Sequence, residues 1–470
     1  MYKIYFFFIF LVSAPLLNSA QSLTVSNNNK YIQVNPKGKP FLWIADTAWE
    51  LFHVLDRAEA DHYLETRAKQ GFTVIYAVLI AELGGLNIPN AYGHLPLRNR
   101  NPANPDVKYF EHVDYVIRKA EKLGLKMGIL PAWGSYVPNE QEGFKNSIFN
   151  KDNALQYGRF LGNRYKNSDI IWVMGGDRNI DDPAAKEIWN QIASGINEGS
   201  NKASLMTYHP RGASYSSIWF HHSPWLSFNM YQTSHERKAM PTYEYAEKHR
   251  KLQPRKPFID GEPAYEDIPV KFWEQLVGMS APRIREVVLD EQGLIKDKSF
   301  FKKGFFTDKD IRKQNYWSIL SGAFGISYGN NAVWQFADSS RKRAVLTLQY
   351  WKEALHSPGA EQLRHLKYVM KTWDFTSLEP NQSLISQANA DPEYYITAAS
   401  KPDQSLILIY IPENQEFAVN LTEGRAYKAK WFNPQNGKLK KHPASRLTET
   451  VKFNSPEGVD DWLLILEATN

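Results

Sequence analysis

One rhythm constrains this chain more than any other feature. From residue 41 onward a short apolar run, a polar loop and a helical stretch follow one another in turn. The apolar runs are 41–45, 72–80, 126–131, 170–174, 204–208, 226–230, 257–260 and 324–328. Helical spacing fills most of the intervals, at 58–70, 111–123, 153–165, 184–196, 242–252 and 309–320. Strands that alternate with helices predict a parallel sheet. Eight such units in succession predict an α/β chain folded as a (β/α)8 TIM barrel over 21–377. The more polar stretch 280–307 reads as an insertion at the rim before the eighth strand. A helix over 350–372 is expected to close the barrel region.

From about residue 378 the pattern changes. Runs at 394–398, 405–410, 416–420, 426–432 and 462–466 are short and tend to alternate, and Asn433-Pro434-Gln435-Asn436-Gly437 is a strong turn. This predicts a small all-β sandwich domain over 378–470. At the other end, Lys3 precedes an apolar run over 4–17, and Asn18-Ser19-Ala20 leads into Gln21. Residues 1–20 therefore read as a signal peptide cut near Ala20. The run is shorter than the roughly 20 residues that span a bilayer. The expected product is exported, periplasmic or extracellular, and not inserted in a membrane.

Composition narrows the chemistry. The chain has no cysteine, which excludes disulfides, thiol catalysis and a lipid-anchored cysteine. A net charge of +6 comes without a long basic run, so nucleic acid is not an expected partner. The 14 Trp, 25 Tyr and 25 Phe suit sugar stacking and suit a large barrel core equally. His235-Glu236 opens like a zinc-protease helix, but Ala239 stands where the second histidine belongs. Neither a Walker loop nor a Gly-x-Ser-x-Gly motif is present, and no metal or cofactor is expected.

In a β/α barrel the working residues follow the carboxyl ends of the strands. Strand four runs into Trp172-Val173-Met174-Gly175-Gly176-Asp177-Arg178-Asn179, and strand seven into Phe258-Ile259-Asp260-Gly261-Glu262-Pro263. Two acids thus sit past two strand ends, across one barrel mouth. Glycoside hydrolysis needs two carboxyls around one bond, about 5–5.5 Å apart for retention and about 6.5–9.5 Å for inversion. By fold-level analogy with retaining barrel glycosidases, Asp177 is the expected acid/base and Glu262 the expected nucleophile. The competing reading makes each a helix cap or an Arg partner.

Other strand ends supply candidate substrate contacts, each with a bland alternative. Asp46 either holds sugar hydroxyls or caps the first helix. Trp133 is a stacking platform or a core residue. Tyr208, His209, His221 and Tyr231 crowd the ends of strands five and six, where His209 or His221 is placed to orient the nucleophile or to bind a hydroxyl. Asn330 and Trp334 follow strand eight, with Trp334 the better placed for stacking. Asp260 is expected to support the site from the barrel wall.

These residues resemble a known family. Gly38-Lys39-Pro40-Phe41-Leu42-Trp43-Ile44-Ala45-Asp46-Thr47-Ala48-Trp49 looks like the opening signature of glycoside hydrolase family 140, the apiosidase-like barrels. The stretch from Trp172 to Asn179, Gly261-Glu262-Pro263, and Tyr328-Gly329-Asn330-Asn331-Ala332-Val333-Trp334-Gln335 look like its later signatures. The resemblance runs from about residue 22 to the C-terminus. It implies a barrel with a C-terminal sandwich, an Asp/Glu pair falling on Asp177 and Glu262, and action on D-apiose linkages of the pectic polysaccharide rhamnogalacturonan II. Ile326-Ser327 departs from the His-Thr pair of many relatives. The sequence leaves two other classes open: a non-catalytic glycan-binding barrel, and a pectin-surface adhesin working through 378–470.

Overall fold

The computed structural model describes residues 22–138, 146–386, 391–443, 447–458 and 460–469. The expected signal segment lies outside the described residues.

All eight apolar runs form strands. In chain order they are Trp43–Thr47, Val74–Val78, Lys126–Leu130, Ile170–Gly175, Met206–His209, Asn229–Gln232, Phe258–Asp260 and Gly325–Tyr328. Strands eight, one, two, three, four and five pair in parallel in that order, and six pairs in parallel with seven. Backbone hydrogen bonds, supported by side-chain ones, close the two seams. Ser227 N–H donates to Met206 O at 2.8 Å between five and six, and Phe324 N–H to Phe258 O at 3.1 Å between seven and eight. Nearly every strand residue is buried on both faces, which is why the runs read as continuous rather than alternating. Aromatic rings fill the interior: Trp43 meets Phe324 at 5.3 Å and Phe228 at 5.5 Å, and its Nε1 donates to Tyr76 Oη at 3.1 Å.

Boundaries shift in ways that matter for the site. Strand one starts two residues later than its apolar run and so contains Asp46 instead of ending before it. Strand six moves forward to Asn229–Gln232, which carries Tyr231 into the strand. The expected closing helix is two, Trp351–Ala354 and Pro358–Thr372. Pro358 has no N–H to continue the first helix, and it holds Ser357 extended at ψ 144°. The insertion folds around its own small core of Val288, Ile295, Phe301 and Phe305.

The C-terminal unit has a six-stranded antiparallel sheet, built around Leu406–Ile411, Trp462–Thr469 and Ala426–Phe432, facing a two-stranded one, Glu416–Asn420 with Thr450–Asn454. Ile407, Ile409, Trp431, Phe417 and Phe453 pack between them. Alternation sends Leu408, Tyr410, Leu463 and Ile465 to the opposite face, where they join Ile319, Leu363 and Leu366 of the barrel helices. Each such buried side chain contributes about 1.5–3 kcal/mol of transfer free energy. Arg312 pins the contact, with Nη2 2.8 Å from Asp461 Oδ1 and Nε 3.0 Å from Oδ2. Among the described residues, no helix is long and apolar enough to cross a membrane.

Candidate active site

Strand four ends in a turn that few sequences tolerate. Gly175, Gly176 and Asp177 all have positive φ, at 85°, 128° and 52°. A Cβ on Gly175 would lie 2.3 Å from His209 O, and one on Gly176 2.9 Å from a Trp133 ring carbon. Only glycine fits at both places. The turn is tied to its neighbours: Gly176 N–H donates to His209 O and Gly134 N–H to Gly176 O, both at 3.1 Å. Asp177 follows with its side chain 36% exposed and Arg178 Nη1 3.5 Å away.

Strand seven delivers Glu262, with its side chain only 8% exposed. Gly261 N–H donates to Tyr231 O at 2.8 Å and Ser234 N–H to Glu262 O at 3.2 Å, so the backbone is held on both sides. Two histidines face the carboxylate. His235 Nε2 lies 3.3 Å from Oε1 as a hydrogen bond, and His209 Nε2 lies 3.1 Å from Oε2, close but off the line of one. Each ring's other nitrogen is already an acceptor. His209 Nδ1 takes the Asp177 N–H and His235 Nδ1 takes the Tyr265 N–H, both at 3.3 Å. That fixes both rings with the proton on Nε2, directed at Glu262.

The two acids are driven apart. Burial alone would raise Glu262, but the two histidines outweigh it and hold its carboxyl well below the ordinary range. Burial raises Asp177, and the Glu262 charge raises it further, against the pull of Arg178 and His209. The two carboxyls are shifted in opposite directions, Glu262 toward its ionised form and Asp177 toward its protonated one, the direction an acid/base division within one site requires.

Both line a cavity of about 510 Å³ at the barrel mouth. Trp49, Trp133, Phe272, Trp273 and Trp334 supply its aromatic wall, and Glu82, Asn179, Arg211 and Gln232 further polar groups. The indole Nε1 of Trp133, that of Trp334 and Gln232 Oε1 are buried without a protein partner among the described residues. Buried polar atoms are normally satisfied, so these are groups a polyhydroxylated ligand can complete. Among the described residues, no cluster of three or more His, Cys, Asp or Glu is placed to hold a metal.

The structure brings Asp177, Glu262, Trp133 and Trp334 together, with His209 directly behind Glu262. Five expected substrate contacts lie elsewhere. Asp46 is fully buried and faces the helices, because the pleat turns it away from the barrel axis; it accepts from Tyr63 Oη at 2.5 Å and Arg67 Nε at 2.7 Å. Tyr208 is buried and its Oη donates to Arg178 O at 2.8 Å, bracing the turn from behind. His221 is buried against Asn229, with Nδ1 3.1 Å from Asn229 Nδ2. Tyr231, now inside strand six, packs on His249 at 5.2 Å. Asn330 caps the turn after strand eight, accepting from Ala332 N–H at 2.9 Å. Asp260 is buried in the wall, as expected, and accepts from Thr233 Oγ1 at 2.5 Å.

Sequence reasoning passed over His235, Glu82, Trp49 and Trp273. His235 stands three residues past the end of strand six, and an accurate strand boundary would have exposed it. Glu82 stands two residues past the apolar run 72–80 and carried the same strand-end signal as Asp177.

The chain is similar to known proteins over nearly its whole length. The family model "Apiosidase-like, catalytic domain" matches residues 26–377, and "Putative collagen-binding domain of a collagenase" matches 380–467. A solved structure titled "Glycoside hydrolase" is 29% identical with a TM-score of 0.80, covering 95% of this chain and 97% of its own. A family 5 glycoside hydrolase from Bacteroides vulgatus is 27% identical, also with a TM-score of 0.80, covering 95% and 93%. Among curated protein sequences, none matches.

Proposed function

Because this chain belongs to the apiosidase-like glycoside hydrolases, we propose that it cleaves apiosyl linkages of the plant pectic polysaccharide rhamnogalacturonan II, with Glu262 as nucleophile and Asp177 as acid/base. The observation that carries the assignment is the pairing of the two carboxyls at one cavity: Glu262 is faced by two Nε2–H groups, and Asp177, beside it, is shifted upward by burial and by the Glu262 charge.

In the first step a Glu262 oxygen attacks the anomeric carbon as the glycosidic C–O bond breaks, and Asp177 passes its proton to the leaving oxygen. In the second, Asp177 takes a proton from water, the water oxygen attacks the anomeric carbon, and the bond to Glu262 breaks. The wall of Trp49, Trp133 and Trp334 offers apolar surface against which sugar C–H groups can pack. The N-terminal apolar segment supports an exported enzyme acting in the periplasm or outside the cell.

Digestion of rhamnogalacturonan II oligosaccharides, with products identified by chromatography and mass spectrometry, tests the substrate. Release of apiose-ended fragments or free apiose is expected. Binding without release from any pectic oligosaccharide would leave a glycan-binding barrel as the reading.

A further inference from the structure

A third carboxyl lines the same cavity and has no role in the steps above. Glu82 follows strand two on the tight turn 81–85, and its backbone is pinned at both ends. Ala81 O accepts from Tyr136 Oη at 2.9 Å, and Leu83 N–H donates to Glu50 Oε1 at 2.9 Å. Glu50 is fully engaged below the turn: His53 Nδ1 donates to its Oε2 at 2.8 Å, while His53 Nε2 donates to Ile88 O at 3.0 Å. The backbone that carries Glu82 is therefore fixed at the cavity wall.

The buried carboxyls of the barrel wall have protein partners, whereas Glu236, which also borders the cavity, stands exposed at its rim. Asp260 takes Thr233, Glu266 takes Tyr328 Oη at 2.6 Å and Gly359 N–H at 2.9 Å, and Glu262 takes its histidines. The Glu82 carboxyl takes no hydrogen bond or ion pair from any described residue, and the side chain lines the cavity beside Asp177 and Glu262. A partnered acid would read as structural support. An acid on a fixed backbone and without a partner, in a substrate-sized cavity, is a group whose partner arrives with the ligand.

We propose that Glu82 contacts the substrate, its carboxyl hydrogen-bonding an oxygen of the bound sugar. The inference rests on the glycosidase reading above and adds a specificity-determining residue to it. The groups that face Glu82 are Asp177 and Arg178 after strand four, Glu262 after strand seven, Glu50 before the first helix, and Tyr136. Burial, then the charges of Asp177 and Glu50, push Glu82 up to about 8, with Arg178 opposing. A carboxyl raised in this way keeps its proton to higher pH than an ordinary glutamate and so can donate as well as accept, and its ionisation at higher pH is expected to weaken binding.

The test compares kcat and KM across pH for wild type, Glu82→Ala and Glu82→Gln on whichever pectic substrate the wild type cleaves. Glu82→Ala is expected to lower kcat/KM about 10–100-fold, mostly through KM, because a site built to bond a sugar oxygen loses its group. Glu82→Gln keeps a donor of the same size that does not ionise. It is expected to retain most of the neutral-pH activity and to lose the fall in kcat/KM between about pH 7 and 9. Glu82→Ala within twofold of wild type, or Glu82→Gln with an unchanged alkaline limb, overturns the inference alone. A wild type that cleaves no pectic substrate overturns the parent reading, and this inference with it.

Discussion

His235 Nε2 lies 3.3 Å from Glu262 Oε1, and the opposite nitrogen of the same ring accepts the Tyr265 N–H. The imidazole is therefore locked with its proton toward the carboxylate. Replacing His235 with Ala removes one of the groups that hold Glu262 ionised, so the Glu262 pKa must rise. The acidic limb of kcat/KM is expected to move to higher pH, with a loss of about 10²-fold at the optimum, comparable to removing one preorganised donor. A pH–rate profile checks this. An unmoved acidic limb would contradict the role given to His235.

The turn that presents Asp177 makes a separate prediction. Gly176→Ala puts a methyl 2.9 Å from the Trp133 ring at φ 128°. The expected cost is about 1–3 kcal/mol in denaturant unfolding, together with loss of activity. Gly124→Ala is the control, because it also has positive φ, at 76°, yet a Cβ there meets nothing within 4 Å. It should pay the backbone strain of about 1–2 kcal/mol alone and leave turnover intact.

Much of this is legible in the amino-acid sequence. Barrel strands buried on both faces are runs of apolar residues, so all eight announced themselves, and Asp177 and Glu262 each come after a run and the glycine that follows it. What the sequence hides is the pleat and the strand ends. A two-residue shift in strand one turned Asp46 from a mouth residue into an anchor for Arg67. A shift of similar size in strand six drew attention to Tyr231 and left His235 to be judged only as a failed zinc motif. Boundaries blur because apolar loop residues such as Leu226 and Phe228 are as buried as the strand itself.

Docking of the β module rests on a buried ion pair. Asp461 is fully buried and accepts from Arg312 and from Tyr410 Oη, the latter at 2.9 Å. Asp461→Ala leaves the Arg312 charge buried with reduced compensation, at an expected cost of about 3–5 kcal/mol. Calorimetry should show the module melting before the barrel in this variant. A single transition at the wild-type temperature would contradict the pinning role.

Glu266 sets a pH dependence of stability. Burial pushes it up to about 7 from the ordinary 4.5, although Tyr328 Oη and Gly359 N–H both favour its charge. The native state therefore binds more protons than the unfolded chain between these two values, and the contribution to stability falls as pH rises through that window. The melting temperature of wild type minus that of Glu266→Gln should drop between pH 5 and 7 and level off above. The full effect is about 3 kcal/mol at most. A difference that is flat with pH would contradict a raised Glu266.

The central claim is the division of labour between Asp177 and Glu262. It is tested most directly by the hydrolysis rates of Asp177→Asn and Glu262→Gln on an aryl apioside, whose phenolate leaves without a proton, and on the natural oligosaccharide. The account predicts that Glu262→Gln loses roughly 10³-fold or more on both, because no nucleophile remains. It predicts that Asp177→Asn loses roughly 10²–10⁴-fold on the oligosaccharide and far less in aryl bond cleavage. Glu262→Gln retaining wild-type rates, or Asp177→Asn failing equally in both bond cleavages, would contradict it.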